Sequence, residues 1–204
     1  MKLNTVKKVD RHIGVIICTI LNLHKRLVSS FNRPSGSAPE KIAFIKLFGM
    51  GSVTLAQPLI AEIKGKFPDA KIYFVTFSNN KGILELFGLT NKIIYIEFKT
   101  FSRFITSAWS ALTALRKERI DIIFNLEFFS RFTSIFTYLT GAKCRAEFYS
   151  EVLWRGDLYT HGIKLNPYFH IRDNFINLAS HLGIVPQTNY TIRPVITDNE
   201  KNAA

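Results

Sequence analysis

The residues best equipped for chemistry fall in two short stretches. The first is Lys46-Leu47-Phe48-Gly49-Met50-Gly51-Ser52. Gly49 and Gly51 let the backbone approach a ligand closely, and a helix starting behind them offers free N–H groups to an anion. The second is Asn125-Leu126-Glu127-Phe128-Phe129-Ser130-Arg131. Glu127 is a carboxylate that can take a proton from a hydroxyl; it can equally pair with Arg131, four residues on. Lys46, Arg131 and Arg145 suit phosphates or carboxylates as ligands, and each can also be a plain solvated charge. The histidines (His12, His24, His161, His170, His181) and the two cysteines (Cys18, Cys144) show no local metal-ligand spacing, so no metal site is expected. With no paired cysteine spacing a disulfide framework is not expected either, and a reducing cytoplasm is the expected compartment.

The elements around these stretches say where they meet. An apolar run over 42–47 stops at the glycine turn, and a helical pattern then runs to Phe67-Pro68-Asp69. Strand, tight turn and helix form the opening unit of a Rossmann-like domain, in which ligands sit at the carboxyl ends of the strands. Further strands are predicted over 71–77, 92–98, 120–127 and 144–148, with a sixth extended segment over 157–165. Helices are predicted over 80–88, 102–119, 130–139 and 170–182, the last capped by Gly183. In the 102–119 helix, Phe104, Ile105, Ala108, Trp109, Leu112 and Leu115 are expected to face inward. The alternation argues for an α/β fold with a parallel sheet flanked by helices, and the nearly all-apolar 120–127 run for a central, buried strand. Glu127 ends that strand and so faces the same crevice as the glycine turn.

The chain has 204 residues, 47% of them hydrophobic, enough for one α/β domain and an appendage but not for two full Rossmann domains. Its formal net charge is +12, and residues 1–34 hold half of it: seven basic residues against Asp10 alone. A helical apolar spacing runs from Val6 through Ile13, Ile16, Ile17 and Ile20 to Phe31, with Lys7, Arg11, Asn22, Lys25 and Ser29 on the other face. The unbroken apolar stretch over 13–23 is shorter than the ~20 residues that span a bilayer. An interfacial helix on an anionic membrane, a helix packed on the domain and a signal peptide are the competing readings. Lys25, Arg26 and Arg33 behind the apolar core, and the lack of a small-residue cleavage site, argue against export. The expected organisation is a basic amphipathic helix and linker start over 1–34, a Rossmann-like domain over 40–190, and an interdomain linker beginning over 191–204. The composition of 32–40 (NRPSGSAPE) suits a flexible linker.

Four stretches in this order, KIAFIKLFGMGSVTLAQPLIAEIKGKFPDAKI, DIIFNLEFFSRFTSIFTYLTGAKCRAEF, LYTHGIKL and HIRDNFINLASHLGI, resemble the bacterial heptosyltransferase family, family nine of the glycosyltransferases. Together they span roughly residues 41 to 184. The lead VDRHIGVIICTILNLHKRL is similar to the leader of one branch of that family. The resemblance implies the N-terminal half of a GT-B architecture, the half that holds the acceptor. It implies transfer of a sugar, typically heptose from ADP-heptose, onto the lipopolysaccharide core or a lipid A precursor at the cytoplasmic face of the inner membrane. The donor nucleotide sugar is expected on a further domain or a separate donor-domain chain, with no cofactor bound by this half, and this chain alone is expected to be inactive. Gly49, Gly51, Lys46, Arg131 and Arg145 become the expected acceptor-binding residues. The family's turn carries an aspartate, its expected base, where this chain has Ser52. A serine hydroxyl cannot act as that base near neutral pH, and helix capping is its other reading. Glu127 is then the expected base, with His161 and His170 next.

The alternative is a non-catalytic membrane-surface binding protein derived from that fold. A dinucleotide-binding oxidoreductase is disfavoured, because the third glycine of its fingerprint would fall at Thr54 and the second strand closes Val75-Thr76-Phe77 without an acid. Nucleic acid is not an expected partner, since the basic residues cluster on a helix with an apolar face.

Overall fold

A computed structural model describes residues 3–28, 38–149 and 154–185. The linker expected over 32–40 lies mostly outside these residues, and the interdomain segment 191–204 wholly so. Six strands, β1 (Lys41–Ile45), β2 (Lys71–Phe77), β3 (Lys92–Ile96), β4 (Ile122–Asn125), β5 (Cys144–Tyr149) and β6 (His161–Lys164), form one sheet in the order β3-β2-β1-β4-β5-β6. Every neighbouring pair is parallel. This is the doubly wound order, and it reverses direction between β1 and β4.

The apolar runs are buried on both faces, as a parallel sheet requires. Ile42, Phe44, Ile72, Phe74 and Phe124 point to one side, where they meet α3 (Gln57–Lys66) through Leu59, Ile60 and Ile63, and α7 (Ile171–Asn177) through Phe175 and Ile176. Ala43, Ile45, Tyr73, Val75 and Ile123 point to the other, against α5 (Phe101–Glu118) through Phe104, Leu112 and Leu115, and α6 (Arg131–Leu139) through Phe136. The two-residue alternation along each strand sorts the side chains between these two cores.

Several elements differ from their sequence expectation. The helix after β1 is two helices, α2 (Met50–Leu55) and α3, meeting at Ala56. Pro58 has no N–H to bond back to Thr54, so the first helix cannot run on through it. The helix after β2, α4, covers only Lys81–Glu85. The last predicted helix stops at Asn177 and is followed by a 3-10 turn, Ser180–Leu182, closed by Gly183 at φ 70°. In α5, Ile105 and Trp109 are 47% and 63% exposed, not inward. The stripe that meets the sheet is Phe104, Ala108, Ala111, Leu112 and Leu115, and residues 105 and 109 lie one step round the helix from it.

The N-terminal helix α1 (Leu3–Val28) packs against α6 with its less apolar side. The Asp10 carboxylate accepts hydrogen bonds from the backbone N–H of Arg131 at 3.2 Å and of Phe132 at 2.8 Å. A Cβ on Gly14 would stand 3.0 Å from Arg131 Cβ, so glycine permits this approach. Cys18 is fully buried, and Lys25 Nζ donates to the Asp157 and Tyr159 carbonyl oxygens at 2.6 and 2.7 Å. Lys25, on the face opposite the apolar stripe, therefore turns toward the domain. Ile13, Ile16, Ile20, Leu23 and Leu27 are exposed. Of the competing readings the structure bears out the helix packed on the domain, and that helix presents an apolar stripe outward. No described helix is long and apolar enough to cross a membrane.

Candidate functional site

In this topology the crevice opens above the carboxyl ends of β1 and β4. Lys46 follows β1 and Glu127 follows β4. Lys46 Nζ lies 3.0 Å from Glu127 Oε2, and the two residues are 4% and 7% exposed. Glu127 Oε1 accepts from the backbone N–H of Leu47 at 2.7 Å and of Phe48 at 3.0 Å. A buried ion pair needs such extra donors to offset its desolvation. Glu127 is thereby the clasp that holds the glycine turn against the β4 side of the crevice. The pairing with Arg131 read from the four-residue spacing does not form: Arg131 begins α6 and turns to α1, its Nη1 4.0 Å from Asp10 Oδ2 and its Nε donating to the Trp154 carbonyl at 2.9 Å.

A second polar layer lies behind the clasp. Glu147 Oε2 accepts from Asn125 Nδ2 at 2.9 Å and from Ser134 Oγ at 2.6 Å. Arg155 Nη1 lies 3.9 Å from the same oxygen and donates to the Glu127 carbonyl at 2.8 Å. Burial pushes the Glu147 carboxyl up, against the opposing pull of Arg155, Ser134 and Asn125. Arg155 Nη2 is buried with no hydrogen-bond partner among the described residues.

Gly49 occupies the N-cap of α2 at φ 85°, a left-handed conformation that glycine adopts without steric cost. Ser52 lies in the first turn and makes no capping bond, so helix capping is not its role. It is half-buried beside Gly49, at the mouth of the turn. Of the three cations expected to meet an anionic ligand, Lys46 is neutralised by Glu127 and Arg131 is engaged by Asp10 and Trp154. Arg145 stands near the amino end of β5, away from the crevice, where Nε and Nη1 donate to the Leu158 and Ala142 carbonyls at 2.9 and 2.6 Å. The first N–H groups of α6 are also taken, by Asp10 and, at Thr133, by Ser130 Oγ. His170 is the N-cap of α7, with Nδ1 accepting from Arg172 N at 3.2 Å. His161 lies at the amino end of β6, beside Cys144 and His181, and does not face the crevice.

What the carboxyl side of the sheet does expose is aromatic and apolar: Phe48 and Met50 after β1, Phe129 after β4, Trp154 after β5, and Tyr168 and Phe169 after β6. Flat rings suit the apolar faces of sugars. Sequence reasoning missed this set, because nothing local tells an exposed phenylalanine from a core one.

No family model and no curated protein matches the chain by sequence. Solved structures do match. The ADP-heptose lipopolysaccharide heptosyltransferase II of E. coli superposes with a TM-score of 0.66 at 20% identity, over 80% of this chain and 49% of that one. The fold is that of the family-nine glycosyltransferases. E. coli heptosyltransferase WaaC, solved with ADP-2-deoxy-2-fluoro heptose, gives a TM-score of 0.62 at 15% identity, over 73% of this chain. A family-nine glycosyl transferase from Veillonella parvula gives 0.61 at 18% identity, over 78%. The chain spans about half the length of these glycosyltransferase structures, 46 to 50%.

Proposed function

We propose that this chain is the acceptor-side half of a heptosyltransferase-like glycosyltransferase. It receives a lipopolysaccharide-core saccharide, or a lipid A precursor, at the cytoplasmic membrane surface, for transfer from a nucleotide sugar such as ADP-heptose. In that reaction an acceptor hydroxyl oxygen bonds to the anomeric carbon, the bond from that carbon to the nucleotide's phosphate oxygen breaks, and the hydroxyl proton passes to a base. The observation that carries the reading is the pair of exposed rings that follow β1 and β4, Phe48 and Phe129, in a sheet with the heptosyltransferase fold. Glu127 Oε1 is filled by two N–H donors, but among the described residues Oε2 meets Lys46 alone and keeps one acceptor position, from which a base would act. The exposed apolar stripe of α1 supports a membrane surface as a partner.

One observation favours the non-catalytic alternative. Ser52 stands where the family's aspartate would be, and Glu127, the carboxylate that holds the turn, is itself held by three donors. Both readings require saccharide binding. Tryptophan fluorescence of the full chain, titrated with a truncated lipopolysaccharide core oligosaccharide, should show a saturable change that Trp154→Phe removes. No saturable change would end both readings. Adding a donor domain and ADP-heptose then separates them: product supports the transferase, and binding without product supports the alternative.

A further inference from the structure

At the amino ends of β5 and β6, opposite the crevice, three side chains converge that no local spacing announces. Cys144 opens β5, His161 opens β6, and His181 sits in the 3-10 turn after α7. Cys144 Sγ lies 3.3 Å from His161 Nδ1 and 3.4 Å from His181 Nε2. The two imidazoles stack with centroids 4.1 Å apart. The three ligand atoms lie within 4.8 Å of one another, and all three residues are half-buried.

The protons sharpen this geometry. His181 Nδ1 is 3.0 Å from the Leu178 carbonyl oxygen, which can only accept, so Nδ1 carries the proton and Nε2 turns a lone pair to the sulfur. That is the arrangement by which a ligating histidine is oriented through its other nitrogen. Thr160 Oγ1 is 2.9 Å from His161 Nδ1, and its proton can go instead to the Arg145 carbonyl at 3.2 Å. One thiol hydrogen faces two ring nitrogens and can serve only one of them. Burial also lowers both imidazoles from their usual range, His181 to about 4.

The spacing decides what would satisfy all three. Zinc–sulfur and zinc–nitrogen bonds of about 2.3 and 2.05 Å at a tetrahedral angle place sulfur and nitrogen about 3.5 Å apart. Both sulfur–nitrogen distances are already within a few tenths of an ångström of that value. A thiolate and two imidazoles without a carboxylate select a borderline-soft ion over magnesium or calcium.

We propose that Cys144, His161 and His181 bind a zinc-class divalent ion, with water in the fourth position. On binding, the thiol proton leaves to solvent and the sulfur bonds the metal. The ion would clip the edge strand β6 and the turn after α7 to β5. It lies at the far end of the sheet from the crevice and serves stability, not transfer, so the inference stands apart from the glycosyltransferase reading.

The test uses the full chain, stripped with chelator and then titrated with zinc, and separately loaded with cobalt(II). We expect one zinc per chain, a raised thermal midpoint, and a cobalt–thiolate charge-transfer band in the near ultraviolet. Cys144→Ser, His161→Gln and His181→Gln should each weaken zinc by about 100-fold, and Cys144→Ser should abolish the band. Far-UV circular dichroism identifies any variant that fails to fold, and the remaining two are then read. Absence of zinc uptake by the wild-type chain, or uptake equal in the folded variants, overturns the proposal.

Discussion

Lys46 Nζ and Glu127 Oε2 stand 3.0 Å apart, buried across the line where the strand order reverses. One follows β1 and the other β4, so the pair joins the two walls of the crevice. Removing one partner leaves the other charge desolvated and unpaired. Lys46→Met should therefore lower the unfolding free energy by about 3–5 kcal/mol, read by urea denaturation. In the double variant Lys46→Met/Glu127→Gln, the amide oxygen can still accept from Leu47 and Phe48 N–H while no charge stays buried. Stability should return toward wild type, a non-additivity that marks direct coupling. Additive losses would show that the pair is not the clasp.

Glu127 and Ser52 separate in kinetics. With a donor domain supplied, Glu127→Gln should lower kcat by about 10²–10⁴, the usual contribution of a general base, and Ser52→Ala should cost far less. A near-normal kcat for Glu127→Gln confines Glu127 to holding the turn.

Asp10 and Gly14 fix α1 to α6. Asp10→Ala removes the acceptor for two helix-terminal N–H groups and should cost about 1–2 kcal/mol, the range of a lost cap. Gly14→Val drives a methyl-bearing Cβ into Arg131, where 3.0 Å is already too close. Both variants should speed tryptic cleavage at Arg11, Lys25 and Arg26 while the far-UV spectrum of the sheet persists. Unchanged cleavage would mean that α1 is not held there.

The exposed stripe of α1 should carry membrane binding. Ile16→Glu/Ile20→Glu should abolish flotation with anionic vesicles and leave the thermal midpoint unchanged, since both side chains face outward. Flotation of the wild type should fall at about 0.5 M salt, where charge attraction is screened. A charged pair that floats as well as wild type would remove this face from consideration.

Glu118 supplies a pH dependence. Its carboxylate accepts from the Tyr73 hydroxyl at 2.9 Å and meets Lys92 at 3.3 Å and Lys41 at 3.4 Å. The Tyr73 hydrogen bond first, then Lys92 and Lys41, hold the carboxyl below its usual 4.5. A lowered folded value stabilises above the unfolded pKa, and the gain is lost as pH falls through the folded one. Glu118→Gln should therefore melt below wild type at pH 7, and the gap should close below pH ~4.5. A gap independent of pH would assign the effect to packing.

What was legible in the residues was what periodicity and turn chemistry encode locally. The 71–77 strand appears with the bounds read from its apolar run, and a glycine at positive φ, Gly49, stands between β1 and the helix as expected, because both are local constraints; β1 itself ends at Ile45, and Met50 and Gly51 already belong to α2. Partner choice was not legible. Arg131 leaves Glu127 for Asp10 because α1 docks there, and no pattern within residues 120–140 records a helix from the other end of the chain. Trp109 sits on an amphipathic helix whose stripe could be drawn through it or beside it, and only the sheet decides. Cys144 lies 17 and 37 residues from His161 and His181, beyond any metal motif's short spacing; parallel strand order and the turn after α7 bring the three together.

The hold of Asp10 and Gly14 on α6 also sets a length. A helix that rested on lipid with its isoleucine stripe while its opposite side gripped α6 would act as a ruler. The crevice would then stand at a height above the bilayer set by rigid packing, not by the reach of a tether. Saccharide chains too short to climb to that height, or long enough to overshoot it, would be read by distance before any group touched them.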